Sequence, residues 1–123
     1  MITKTMVLKI VGIVDRGVTG AERLHISVLA DANLNYYAIF DTEYIGDDIA
    51  PIPKRAYWFG DYSVRAGDHV ILYTKPGEQS TRKRADGGTN HFFYWGLPKT
   101  IWGNRTSCAV LLEISNWQTS APG

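Results

Sequence analysis

The sequence predicts an all-β protein, a sandwich or barrel of about seven short strands. Three observations carry that expectation. Runs rich in Val, Ile, Tyr, Phe and Trp recur along the chain, each bounded by Gly, Pro, Asn or Asp, the usual alternation of strand and turn. Helical periodicity is nearly absent. At 123 residues, 45% apolar and 20% charged, the chain is long enough for one hydrophobic core and too short for two independent ones. One domain is expected over 1–118, with a flexible tail at 119–123.

Strands are expected at 6–14, 22–30, 35–41, 56–59, 68–75, 90–96 and 107–115. In the second run Leu24, Ile26 and Val28 alternate with Arg23, His25 and Ser27, which puts one face on the core and points His25 outward. Residues 42–55, "TEYIGDDIAPIPKR", contain two prolines and no steady period, and read as a long irregular connection. In "RAGD", Gly67 precedes a strand and is expected at positive φ. In "HFFYWG", His91, Phe93 and Trp95 share one face and Phe92 and Tyr94 the other. One face enters the core, and the other is expected to be covered by another segment. In the last run Cys108, Val110, Leu112 and Ile114 face one way and Ala109 and Leu111 the other, so a central strand with a buried, inert Cys108 is expected. The closing "TSAPG" is expected to fray.

The totals narrow the function. Thirteen Lys and Arg against twelve Asp and Glu leave a net charge of +1, so no global field draws the chain to nucleic acid or an anionic membrane. A single cysteine excludes an internal disulfide and a Cys-rich zinc site. No run approaches the ~20 apolar residues of a membrane span, and "MITKTMVLKIVGIVD" shows no small-residue cleavage site, so a cytoplasmic protein is expected. The sequon at Asn104-Arg105-Thr106 is discounted for the same reason. HExxH, GxSxG, CxxC, P-loop and dinucleotide-binding patterns are missing, which points away from an enzyme and from any cofactor. His25, His69 and His91 lie on separate strands and read as surface or edge residues. Asp41, Glu43, Asp47 and Asp48 place four acids within eight residues. Their spacing fits no calcium loop, so a solvated acidic segment without metal is expected.

From Tyr57 onward, "YWFGDYSVRAGDHVILY" resembles the aromatic-turn-Gly-strand segment of lamin-tail domains, with Gly67 and "HVILY" in the matching places. "TIWGNRTSCAVLLEIS" is similar to that family's Trp-Asn turn before its next apolar strand, carried here by Trp102, Asn104 and Val110 to Leu112. Together these cover roughly half of the chain, and the likeness is to small bacterial or phage-encoded relatives. The resemblance implies an immunoglobulin-like β-sandwich of seven to nine short strands, a fold used mainly for binding.

The segment from Pro76 to Asn90 supplies fifteen residues, where a hairpin loop joining the 68–75 and 90–96 strands needs ~2–5. Lys75, Arg82, Lys83 and Arg84 outweigh Glu78 and Asp86, leaving +2 here against −1 for the rest of the chain. Such excess length marks a loop that is either solvated or functional. The favoured reading is a binding module that contacts a protein through this hairpin loop, with Lys75, Arg82, Lys83, Arg84, His91, Tyr94 and Trp95 as candidate binding residues. A protein partner accords with the near-neutral charge, whereas phosphate binding draws on a larger basic surface. One alternative is a nucleic-acid binder in which Arg82, Lys83 and Arg84 hold phosphates and Tyr94 or Trp95 stacks on bases. Another is a sandwich that encloses a small ligand among Trp58, Trp95 and Trp102.

Overall fold

The computed structural model describes residues 5–123, so the first four residues of the expected domain lie outside it. The strands are β1 (Leu8–Val14), β2 (Arg23–Val28), β3 (Ala32–Asn33), β4 (Tyr37–Ile45), β5 (Asp48–Ile49), β6 (Arg55–Trp58), β7 (Ser63–Val64), β8 (His69–Tyr73), β9 (Ser80–Lys83), β10 (Thr89–Tyr94) and β11 (Ser107–Glu113). A 3-10 turn at Leu34–Tyr36 separates β3 from β4. All seven expected strands are present, and β3, β5, β7 and β9 are additional. Each is only two to four residues long, too short for an apolar alternation to announce it.

A five-stranded sheet has the order β1-β2-β8-β10-β9, and β4 is flanked by β11 on one side and by β5 and β6 along the other. Alternation on β2 buries Leu24, Ile26 and Val28 and leaves Arg23, His25 and Ser27 half-buried on the outer face. Val70, Leu72 and Phe93 continue the inner face of that sheet. Tyr37 and Ile39 from β4 meet them, with Leu34, Phe59, Val64 and Trp102 completing one cluster and Ala109 and Leu111 packed against it. Two sheets thus share a single core in a sandwich-like arrangement, and burial of these side chains is the main favourable term holding them together.

Three expectations about the strands change. Among the described residues β11 pairs with β4 alone, so it stands at the edge of that sheet rather than at its centre. Ala109 and Leu111 form its core face, while Cys108 is buried on the opposite side. The irregular connection at 42–55 is instead a hairpin, since β4 runs on to Ile45 and turns through Gly46 and Asp47 into β5. Gly46 has φ of 64°, as a two-residue hairpin loop opening with glycine needs. The four acids do not form one solvated loop. Asp41 is 1% exposed and is paired with Arg55 at 2.8 Å, because β6 lies against β4 with Arg55 opposite Asp41. Burial pushes the Asp41 carboxyl above its ordinary range, and the Arg55 hydrogen bond and charge offset part of that.

Gly67 has φ of 89°, and its N–H donates to Val28 O at 2.9 Å. The positive φ, rather than any crowding at the α-carbon, is what demands glycine here. Gly67→Val should cost about 1–2 kcal/mol, the penalty of holding a side chain in left-handed backbone. Chemical denaturation checks this, and an unchanged midpoint would show that the turn tolerates a side chain.

Candidate functional site

The 76–90 segment is not a hairpin loop. β10 runs parallel to β8, so the chain cannot simply reverse between them and must first cross to the sheet edge. It does so through residues 74–79, lays down β9, and returns antiparallel as β10. The excess length is therefore spent on an edge strand. All four β9 side chains are exposed, and no other described strand of four or more residues has that pattern.

Paired residues on neighbouring strands point to the same side of a sheet. Arg82 pairs with Asn90 and Ser80 with Phe92, which places Arg82 on the outer face. Lys83 pairs with Thr89 and Thr81 with His91, which places Lys83 on the other. Arg84 closes the turn to β10, its N–H donating to Gly88 O at 2.8 Å. Its guanidinium donates to Asn90 Oδ1 at 2.9 Å and to Gly67 O, and pairs with Asp86 at 3.2 Å. Arg84 is thus a clasp between two turns, whereas Arg82 and Lys83 make no ion pair among the described residues.

On the outer face, Tyr73 and Tyr94 sit opposite each other in the parallel register and stack at 5.4 Å with 10° between their planes. Lys75 Nζ lies 4.8 Å from the Tyr73 ring centroid and Arg23 Cζ 5.8 Å, a cation–π arrangement. The crossing segment packs Gly77 against the Tyr94 ring so closely that a Cβ there would fall 2.4 Å from Cδ1. Phe92 and Tyr94 are consequently half-buried, covered by neighbouring side chains and by the crossover. Tyr73, Lys75, Arg82, Phe92 and Tyr94 line a cleft of about 320 Å³. Gly77→Ala should displace the Tyr94 ring and cost about 1–3 kcal/mol, as overpacking does. The check is thermal melting together with tyrosine fluorescence, and wild-type behaviour in both would contradict the contact.

The opposite side of β10 turns to the interior. His91 is 8% exposed, with Nε2 at 2.8 Å from Asp68 Oδ2 and Nδ1 at 2.8 Å from the Tyr62 hydroxyl. Asp68 also accepts from Arg65 N at 3.0 Å and Thr89 N at 3.1 Å. Burial pushes the Asp68 carboxyl upward, but these backbone donors and His91 outweigh it and hold the carboxyl below its ordinary range. A cleft of about 750 Å³ opens beside this cluster, with Arg65, Lys83, Arg84 and His91 and the carboxylates of Asp68 and Asp86 in its wall. Trp95 is half-buried and packs against the core, 5.6 Å from Tyr57 and 6.0 Å from Trp102. Trp58 is elsewhere, at the surface against Trp117.

The seven candidate residues therefore divide. Lys75, Arg82 and Tyr94 share the outer cleft, Lys83, Arg84 and His91 the inner one, and Trp95 neither. Sequence reasoning missed Tyr73, Arg65 and Asp68, which reach these clefts only through the strand register and the Gly67 turn, and Tyr62, which holds His91 from behind. The histidines do not converge, since His25 and His69 stand on the outer face and His91 on the inner. His25 accepts from Arg23 Nε at 3.2 Å; burial, then the charges of Arg23 and His69, keep its pKa below the ordinary value. Among the described residues no group of three His, Cys, Asp or Glu side chains is placed to hold a metal, and no helix is long and apolar enough to cross a membrane. Comparison of the chain with protein-family models, curated proteins and solved structures gave no match.

Proposed function

We propose that this chain is a non-enzymatic binding module, a lamin-tail-like domain of the immunoglobulin-like type, that contacts another protein along the β9 edge. The observation that carries the reading is the fully exposed edge strand built from the 76–90 segment, because an edge presents unpaired backbone donors and acceptors to a partner. Nucleic-acid binding is the weaker reading. Base stacking needs a free ring face, yet the Tyr94 ring is occupied by Tyr73 and Gly77 and the half-buried Trp95 packs edge-on against Trp102 at the core. The lamin-tail likeness is supported by Gly67 at the turn into β8, by the buried Trp102, and by Asn104 O accepting from Ser107 N at the head of β11. A cytoplasmic setting belongs to the same proposal and is in keeping with the unpaired Cys108.

The test is a pull-down from the native host with the wild type and with Arg82→Ala/Lys83→Ala, keeping Arg84 because its clasp is structural. A protein retained after nuclease treatment, and held several-fold more weakly by the variant, is the expected result. Equal retention by both baits would contradict the assignment of the edge, and retention abolished by nuclease would transfer the function to nucleic acid.

A further inference from the structure

Resting on that reading, we infer that the partner contributes an extended, acidic segment that adds to β9 as the sixth strand of the five-stranded sheet. In strand addition, main-chain hydrogen bonds along an open edge supply affinity, and pockets on the two sides of the sheet receive alternate side chains. Both parts are present here. β9 has no neighbour on its outer side among the described residues, and a cleft flanks the β9–β10 pair on each face. Successive side chains of an added strand point to opposite faces, so they would enter the two clefts in turn.

Charge selects the occupant. The outer cleft carries Lys75 and Arg82 and no acid; the inner cleft carries Arg65 and Lys83 beside Asp68 and Asp86, whose carboxylates are already engaged by His91 and Arg84. None of the side chains of Lys75, Arg82, Arg65 and Lys83 forms an ion pair among the described residues. An added strand with acids at consecutive positions would place one toward each pair. A second copy of β9 is the wrong occupant, because an antiparallel register centred on Arg82 or on Lys83 would set that residue against its own counterpart. Like charges facing each other across strands are destabilising, and basic residues on an edge are a known guard against self-pairing. The opposite edge of the sheet is guarded differently. β1 carries a bulge between Ile10 and Gly12, and bulges twist an edge away from further pairing.

The experiment uses isotope-labelled whole chain and a short blocked peptide of Thr, Val and consecutive Glu residues. Comparators are the same peptide with Lys for Glu, two forms N-methylated on alternate backbone amides, and oligothymidine. The expected result is amide shifts concentrated at 80–84 and 89–92 with the Glu peptide, weakened by salt and by Arg82→Ala/Lys83→Ala. The Lys peptide should not bind, and one N-methylated form should fail while the other binds, since only one set of amides faces β9. Equal binding by both methylated forms would reduce the contact to charge alone and overturn strand addition. Binding by the Lys peptide, shifts centred elsewhere, or binding by oligothymidine alone would overturn it too. If no peptide binds while capture of the native protein still depends on Arg82 and Lys83, strand addition falls and the binding edge stands. If that dependence is also missing, both fall.

Discussion

Replacing Glu22 with alanine should lower stability by about 4 kcal/mol, or roughly 15 °C in melting temperature for a domain of this size. Glu22 is 1% exposed, and its carboxylate accepts from three backbone donors: Gly17 N at 2.7 Å, Ile101 N at 2.8 Å and Trp102 N at 3.1 Å. Those donors belong to two loops far apart in sequence, the β1–β2 connection and the approach to β11. Alanine leaves all three N–H groups without their acceptor, and each buried unsatisfied donor costs about 1–3 kcal/mol. Glu22→Gln keeps the shape but turns an amide N–H₂ toward one of the donors, so an intermediate loss is expected. A melting temperature within about 3 °C of wild type for the alanine variant, less than the ~1 kcal/mol of a single lost hydrogen bond, would show that the two loops are held by other contacts.

Asp68→Asn should cost about 2–3 kcal/mol near neutral pH, with a pH dependence of defined sign. The folded-state pKa of Asp68 is depressed. Its contribution is therefore fully present above the ordinary carboxylate value of ~3.9 and is lost as pH falls through the lower folded value. Urea midpoints of wild type and variant should differ by a constant amount from neutral pH down to about pH 4 and converge only in stronger acid. A gap that closes between about pH 6 and 7 would place the titration on a group other than Asp68. Because Asp68 also accepts from Thr89 N, the variant should loosen the start of β10 and the β9 turn beside it.

Local signals were legible in the sequence and relations between strands were not. The alternation from Arg23 to Val28 gave β2 and its buried face, and Gly67 gave the turn before β8, because both depend on adjacent residues. β9 was invisible because Ser80 to Lys83 is polar throughout and is ordered by pairing with β10 rather than by any buried face of its own. The parallel β8–β10 pairing was equally hidden. The assumption that consecutive strands join as a hairpin turned a crossover and an edge strand into a long loop. For the same reason Tyr94 was read as a stacking candidate, although Tyr73 and Gly77, seventeen or more residues earlier in the chain, occupy its ring. Glu22 and Asp68 gave no signal, since a charged residue beside a strand is ordinarily solvated. β11 misled through composition. Apolar residues on both sides of a strand suggest a central place, but here they belong to an edge with a core face and a buried Cys108 behind it.

The most direct test of the central claim is backbone dynamics of the free protein, measured by heteronuclear relaxation together with cross-strand proton contacts at residues 80–83. Sheet-like order parameters of about 0.85 are expected, with contacts from Arg82 to Asn90 and from Ser80 to Phe92. Order parameters below about 0.6 through this stretch, with those contacts missing, would make 76–90 a mobile loop and remove the edge on which the proposed function rests.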